Sequence, residues 1–357
     1  MAKKTHGLIK LSLLVALATT AGCVSQTTTD SHDAIVFRVS ELHEPDQICT
    51  ISLNSSNSNC WVGDNWDSVL TLFWSPNKEH IALTGGQEGG YRELYVVGAD
   101  GSNQIQLSQI HTLFSFPIPE WSADSQELRS IVYDENFVPT ASRVALDGTD
   151  PCILFDSTIQ DGTISSNCSQ ISGTQLITLY QNNNLDIYLV DFDQAAVRKL
   201  TESDGQTSYG SASLSPDGQH IAFVGVEQND TDSQAEATVK LYVMDVDGSN
   251  FHFLVDTQLD YALFGWSPDS TRIAFSAIEG ETYPDIYVVD IRDFEIQQLT
   301  EGVEEDYFGS WSPDGEHIVF SRLPTTFSSW ELYVMDSNGD NQHSVAVCGR
   351  RECIPDW

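Results

Sequence analysis

What most constrains this chain is a segment that recurs along it. The stretch "GSWSPDGEHIVFSRLPTTFSSWELYVMDSNGD", from Gly309 to Asp340, reads as strand, tight turn, strand, loop, strand, tight turn. Pro313 presets φ in the first turn and Gly315 takes φ > 0 at little cost. Asn338-Gly339 is the pair typical of a short hairpin. Leu332 to Met335 is apolar at every position, which predicts a strand buried on both faces. One such sheet cannot cover both of its own faces and needs neighbours.

The neighbours are written into the same chain. "WSPDSTRIAF" starts at Trp266, "LSPDGQHIAF" at Leu214, "WSPNKEHIAL" at Trp74, a worn "WSADSQELRS" at Trp121 and a nearly erased "SQISGTQLIT" at Ser169. Third strands repeat too, as "ELYVV" at Glu93, "DIYLVD" at Asp186, "KLYVMD" at Lys240 and "DIYVVD" at Asp285. Anchors at 74, 121, 169, 214, 266 and 311 are separated by 47, 48, 45, 52 and 45 residues. Four short strands per period of about 40–50 residues is the pattern of β-propeller blades. Trp357 falls 46 residues after Trp311, where another blade's first strand should finish. "AIVFRVS" from Ala34 matches a second strand and "QICTISLN" from Gln47 a third. The two ends are therefore expected to share one blade and remove the open sheet edges. The expectation is an all-β, seven-bladed β-propeller closed by pairing of the N- and C-terminal strands, with six blades as the alternative.

These motifs resemble the propeller repeat of the TolB-type family, a WD-repeat-like blade, over Ala34 to Trp357. The resemblance implies a partner-binding ring. It also implies two departures: the family's type member carries an α/β domain before a six-bladed ring, whereas here the repeats begin at once and number seven. Domain expectations are a signal at 1–22, a tether at 23–32 and the TolB-like propeller at 33–357.

The first segment reads as an address. Lys3, Lys4 and Lys10 precede a short apolar run from Leu11 to Ala18, too short to span a bilayer. Thr20-Ala21-Gly22-Cys23 resembles a bacterial lipoprotein box, which makes Cys23 the lipidated new N-terminus and implies a signal peptide; the alternative is an ordinary secretory signal cleaved nearby. Val24 favours the outer membrane by the same resemblance. The expected location is the cell envelope, on the periplasmic face of the outer membrane or the cell surface. The nine polar residues Val24–His32 reach about 30 Å at most.

Six further cysteines fall into neighbouring pairs, Cys49 with Cys60, Cys152 with Cys168 and Cys348 with Cys353. In an exported chain they read as local disulfides, the first and last bracing the seam of the ring. A zinc site is disfavoured because no pair has two-residue spacing.

Charge is extreme. Fifty-two acidic against sixteen basic residues give −36, and loss of the three signal lysines makes the remainder more negative still. No basic patch is available for phosphates, so nucleic acid is excluded as a partner. Membrane contact is expected through the lipid only. The acidity reads as solubility or as a field that attracts a basic partner.

Functional residues are expected in the loops between second and third strands and between blades, which gather at one end of a propeller channel. There the sequence places Tyr91, Phe137, Tyr209, Tyr261, Tyr283, Asp285, Glu304, Glu305, Asp306, Tyr307 and Trp330. Carboxylates interleaved with rings suit a protein or peptide rich in Lys and Arg. His80, His220 and His317 occupy one equivalent place per blade and cannot converge on a metal. Asp245 to Asn250 resembles the start of a calcium loop but lacks the closing Glu, and reads as a hairpin turn. Nucleophile elbows, paired zinc histidines and phosphate loops are absent. The reading is a non-enzymatic binding scaffold with no cofactor. The alternatives are a hydrolase or lyase on glycan or peptide at the channel mouth, and a calcium- or glycan-binding ring.

Overall fold

A computed structural model describes residues 33–54, 57–63, 66–87, 93–108, 120–122, 124–133, 139–146, 152–155, 174–181, 184–191, 194, 196–227, 238–256, 263–279, 283–325 and 329–357. Among them there is no α-helix. The first sheet holds β1 (Ala34–Val39), β2 (Gln47–Ser52) and β3 (Asn59–Trp61). Next come β4 (Ser68–Trp74), β5 (His80–Gly86), β6 (Glu93–Gly98) and β7 (Ile105–Ser108). A third sheet has β8 (Glu120–Trp121), β9 (Glu127–Tyr133), β10 (Pro139–Ala145) and β11 (Cys152–Phe155). The fourth has β12 (Thr174–Gln181), β13 (Asn184–Asp191) and β14 (Ala196–Lys199). The fifth has β15 (Thr207–Leu214), β16 (His220–Glu227), β17 (Thr238–Asp245) and β18 (His252–Asp256). The sixth has β19 (Phe264–Trp266), β20 (Arg272–Ala277), β21 (Asp285–Asp290) and β22 (Ile296–Gln298). The last has β23 (Glu305–Trp311), β24 (His317–Leu323), β25 (Trp330–Asp336) and β26 (His343–Gly349). All the strand pairings are antiparallel between sequence neighbours, as in propeller blades.

Five of the seven sheets bury the same three residues of the strand that carries the aliphatic repeat. Ile81-Ala82-Leu83, Ile221-Ala222-Phe223, Ile273-Ala274-Phe275 and Ile318-Val319-Phe320 are all fully buried, and so are Ile35-Val36-Phe37. A fully buried Phe or Leu stabilises by about 1.5–3 kcal/mol, so the repeat is a repeated energetic unit as well as a repeated shape.

Adjacent blades are held by a second recurring device. Trp121, Trp266 and Trp311 donate Nε1–H to the carbonyls of Phe73, Ser213 and Gly265 on the preceding inner strand, at 3.4, 3.2 and 3.1 Å. The ring of each Trp meets the first residue of the preceding blade's second strand. His80 lies 6.4 Å from Trp121, His220 6.3 Å from Trp266, and the Arg272 guanidinium 4.7 Å over Trp311. His317 stacks on Trp357 at 5.8 Å, so the last residue occupies the place of one more blade's Trp. The histidines that recur in sequence are thus inter-blade packing groups. Turns are tied as well: Asn77 N donates to Ser125 Oγ and Asp217 N to Ser270 Oγ, both at 3.0 Å. The fourth turn residue is left-handed throughout, at Gly218 and Gly315 without strain and at Lys78, Ser125 and Ser270 against preference.

The expected seven-bladed ring, closed by pairing of terminal strands, needs correction. Six blades are built from the repeats, β4 to β26, five of them four-stranded and the β12–β14 blade three-stranded among the described residues. The N-terminal strands form only a three-stranded sheet, and the chain end adds no strand to it. Beyond β26 it adds one bridge, in which Val36 and Asp356 exchange both backbone hydrogen bonds at 2.9 Å, and Gly349 at the end of β26 makes a second, parallel one with Ser40. The reason is local chemistry. The Cys348–Cys353 disulfide closes a loop over the four residues between its cysteines, and Pro355 has no N–H for a ladder. Arg38 N still donates to Cys353 O and Ser40 N to Cys348 O, so the edge of β1 is covered irregularly. Cys49–Cys60 ties β2 to β3. Cys152–Cys168, like Cys23, lies outside what is described of side chains.

Asp356 anchors this seam: its carboxylate accepts from Trp74 N at 2.8 Å, and burial pushes its pKa up against the nearby Lys78 charge. Trp357 packs in one cluster with Ile35, Phe37, Val319, Leu332 and Cys353. Trp357→Ala should therefore destabilise the chain by about 3–5 kcal/mol. The check is thermal unfolding; a melting temperature equal to the parent's would show that the terminal ring does not hold the seam.

Candidate functional site

Antiparallel order sends the loops between second and third strands, and between blades, to one end of the ring. At that end an arc of charged groups runs from the β19–β22 blade, across the β23–β26 blade, to the seam.

The arc begins with a device set by the sequence "DIY…LT". Asp285 opens β21 and its Oδ1 accepts from Thr300 Oγ1 at 3.0 Å, while Thr300 Oγ1 accepts from Ile286 N at 2.9 Å. Asp186, Thr201 and Ile187 repeat this geometry at 3.0 and 2.9 Å. The two sites differ in the outer strand. Lys199 Nζ sits 3.0 Å from Asp186, whose carboxyl stays below its ordinary range because hydrogen bonds from Ser203, Lys199 and Thr201 outweigh burial. Asp285 has the neutral Gln298 instead, at 3.1 Å. Burial pushes its carboxyl up to about 6, with the Asp306 charge adding to burial and Thr300, Gln298 and Arg322 opposing it.

Asp306 is buried beside it, its backbone N–H donating to Pro284 O at 2.8 Å. Arg322 grips Asp306 with Nε and Nη2, both at 2.6 Å, and lies over the rings of Phe320 and Tyr333. Such a pair, bidentate and stacked, uses the planar fork that lysine lacks. Alternation along β23 then turns Glu305 and Tyr307 toward the seam, and Tyr307 meets Trp330 at 5.6 Å. Tyr283 is exposed just before Pro284.

At the seam stand groups that sequence reading passed over. Arg38, buried in β1, donates Nη1–H to Val69 O and Nη2–H to Glu352 O, both at 2.6 Å. Burial lowers its pKa, Asp46 opposing and Arg351 adding to the shift. Asp46 is buried and accepts from Val69 N at 2.9 Å. Arg351 donates to Ser68 Oγ at 3.2 Å and lies 3.9 Å from Asp46. Burial raises the Glu352 carboxyl, with the Arg38 charge opposing and that of Glu305 adding. The sequence did carry signals: Arg38 interrupts the buried run "IVFRV", and "CGRREC" sets two arginines and a glutamate between paired cysteines.

Of the residues expected at this end, the structure brings together Tyr283, Asp285, Glu304, Glu305, Asp306, Tyr307 and Trp330, the two aspartates beneath the surface. Tyr209 instead packs among Phe223, Tyr242 and Phe251. Tyr91, Phe137 and Tyr261 lie outside the described residues. At the opposite end a cleft of about 330 Å³ opens between Trp266 and Trp311, walled by Pro216, Pro268 and Phe308, with no ionisable side chain in its lining. The Asp245–Asn250 turn satisfies itself, Asn250 Nδ2 donating to Asp245 Oδ2 at 2.7 Å. Among the described residues no three His, Cys, Asp or Glu converge as metal ligands.

Residues 211–357 match the family model of the TolB beta propeller domain. A 130-residue stretch is 28% identical to dipeptidyl-peptidase 5 of Porphyromonas gingivalis, covering 35% of this chain and only 18% of that protein. The β-propeller domain of the Trilobed protease from Pyrococcus furiosus superposes with a TM-score of 0.59 at 15% identity, over 88% of this chain and 94% of that one. TolB from Acinetobacter baumannii gives 0.55 at 15% identity, over 92% and 67%. At such identities the solved structures show a shared fold.

The Asp285 site yields a pH test. Its folded carboxyl is raised to about 6, above the ordinary value of about 4. Its contribution to stability is therefore full below about pH 4 and lost as pH rises through 6. Asp285→Asn keeps an oxygen for Thr300 without the charge. Its melting temperature relative to the parent should rise between pH 4 and pH 7.5. A constant difference across that range would refute the charge as the cause.

Proposed function

Taking residues 211–357 as a TolB-type β-propeller domain, we propose that the chain is a non-enzymatic scaffold binding a protein or peptide at the charged arc. The observation that carries this reading is the division of labour along the arc. Asp285, Asp306 and Arg322 fix the frame from below, while Tyr283, Glu304, Glu305, Tyr307 and Trp330 are left partly or fully exposed above it. Side chains presented on a rigid frame lose little entropy on binding, and carboxylates beside rings suit Lys- and Arg-bearing partners. The proposal places the ring in the cell envelope, anchored through a lipid on Cys23. TolB itself supplies the analogy of fold only.

A hydrolase reading has one observation in its favour. Burial raises the Glu352 carboxyl, with the charge of Glu305 adding to the shift, and general-acid chemistry uses a carboxyl raised in this way. The related dipeptidyl-peptidase, matched over 18% of its length, is an enzyme by name. Turnover of peptides by the purified chain, abolished in Glu352→Gln, would establish that reading over the scaffold.

Titration calorimetry with a short peptide alternating Lys and Phe provides the test of binding. Glu304→Gln/Glu305→Gln should weaken affinity roughly tenfold, and raising the salt from 50 to 500 mM should weaken the parent comparably. Absence of heat at both salt concentrations would end the scaffold reading for basic peptides.

A further inference from the structure

We propose that the Cys348–Cys353 loop and the Arg38 behind it form a receptor for a carboxylate, and that the carboxylate is a bound peptide's own C-terminus. The inference rests on the peptide-binding reading and adds to it the polarity of the ligand.

In so acidic a chain, this corner of the arc concentrates positive charge. Arg350 and Arg351 are exposed on the disulfide loop, the Arg351 side chain 47% so. Its one close side-chain partner is a neutral hydroxyl, Ser68 Oγ at 3.2 Å; Asp46 is looser at 3.9 Å and already accepts from Val69 N. Beneath it Arg38, 6% exposed, spends both Nη groups on carbonyl oxygens, and its buried Nε meets no hydrogen-bond partner. Among the described residues no carboxylate is hydrogen-bonded to the Arg38 side chain. Two acids face the three guanidinia of Arg38, Arg350 and Arg351: Asp46, whose Oδ2 accepts from Val69 N, and Glu352. An exposed guanidinium backed by a second, buried one is matched by a planar anion that accepts two parallel N–H bonds.

The loop is also held in place before any ligand arrives. Cys348–Cys353 closes it, Ser40 N donates to Cys348 O, Arg350 N to Ser40 O, and Arg38 N to Cys353 O, each at 2.8 Å. Preorganisation of this kind raises affinity by removing ordering costs. A uronic-acid sugar could offer the same carboxylate, but Glu304 and Glu305 line the approach and would repel a polyanion. A peptide with basic residues inside and one carboxylate at its end satisfies both the acidic stretch and the basic corner.

The experiment uses the full chain and the Lys/Phe peptide in two forms, with a free C-terminus and with a C-terminal amide, alongside a galacturonate trimer. By calorimetry the free acid should bind about tenfold more tightly than the amide. Arg351→Gln should abolish that ratio by removing the free acid's advantage over the amide, and Arg351→Lys should retain part of it; circular-dichroism melts confirm that both variants fold. Equal affinity of acid and amide would overturn the receptor and leave the scaffold standing. Failure of both forms would overturn both, and binding of the trimer alone would assign the corner to an acidic sugar.

Discussion

Most sheets of this ring bury an apolar triad of one strand against a neighbour, and no sheet of three or four strands can cover its own two faces. That constraint explains the order of events from sequence upward. Apolar second and third strands create faces that must be covered, and the tight turns set their register. The Trp and His positions then decide how one blade meets the next. Trp266 and Trp311 bond the preceding inner strand with the indole N–H and pack the ring face on His220 or Arg272. One side chain thus satisfies both a polar and an apolar need at each interface.

At the seam the same constraint meets a chain end. Trp357 extends the aromatic series onto His317, and Ile35-Val36-Phe37 extends the buried triads, so both ends obey the repeat's packing rule. The backbone does not follow as far. A disulfide loop and Pro355 leave one bridge where a strand would run. Side-chain packing can therefore propagate around the ring across a place where the hydrogen-bonded ladder fails. The buried Asp356 carboxylate, bonded to Trp74 N, ties the C-terminal segment to β4.

Local features were legible in the sequence because they repeat. The Ser-Pro-Asp turns, the alternation of buried residues and the equivalence of His80, His220 and His317 could each be read against several copies. The blade count was less legible. Trp357 has the spacing of a blade's inner strand, yet spacing says nothing of whether the residues before it can form a ladder. The charged corner was least legible. Arg38 contacts Glu352 across 314 residues of sequence, and nothing local in "IVFRV" tells which carbonyls a buried guanidinium will meet. Tyr209 shows the opposite failure: expected in a connection between blades, it lies within β15, where Tyr242, Phe223 and Phe251 absorb it into packing.

Asp186 and Asp285 show how one repeated frame can be balanced in two ways. Both carboxylates serve the same backbone, through Thr201 and Thr300, at matching distances. In one blade a lysine balances the charge locally; in the other the outer strand offers Gln298, and the nearest cation, Arg322, belongs to the following blade and is gripped by Asp306. A charge balanced within its own blade only stabilises that blade. One balanced across the interface, by Arg322 and against Asp306, couples two blades. Exchange of lysine for glutamine in the outer strand thus changes how a buried aspartate is balanced, while the Asp–Thr device that orders the backbone stays the same.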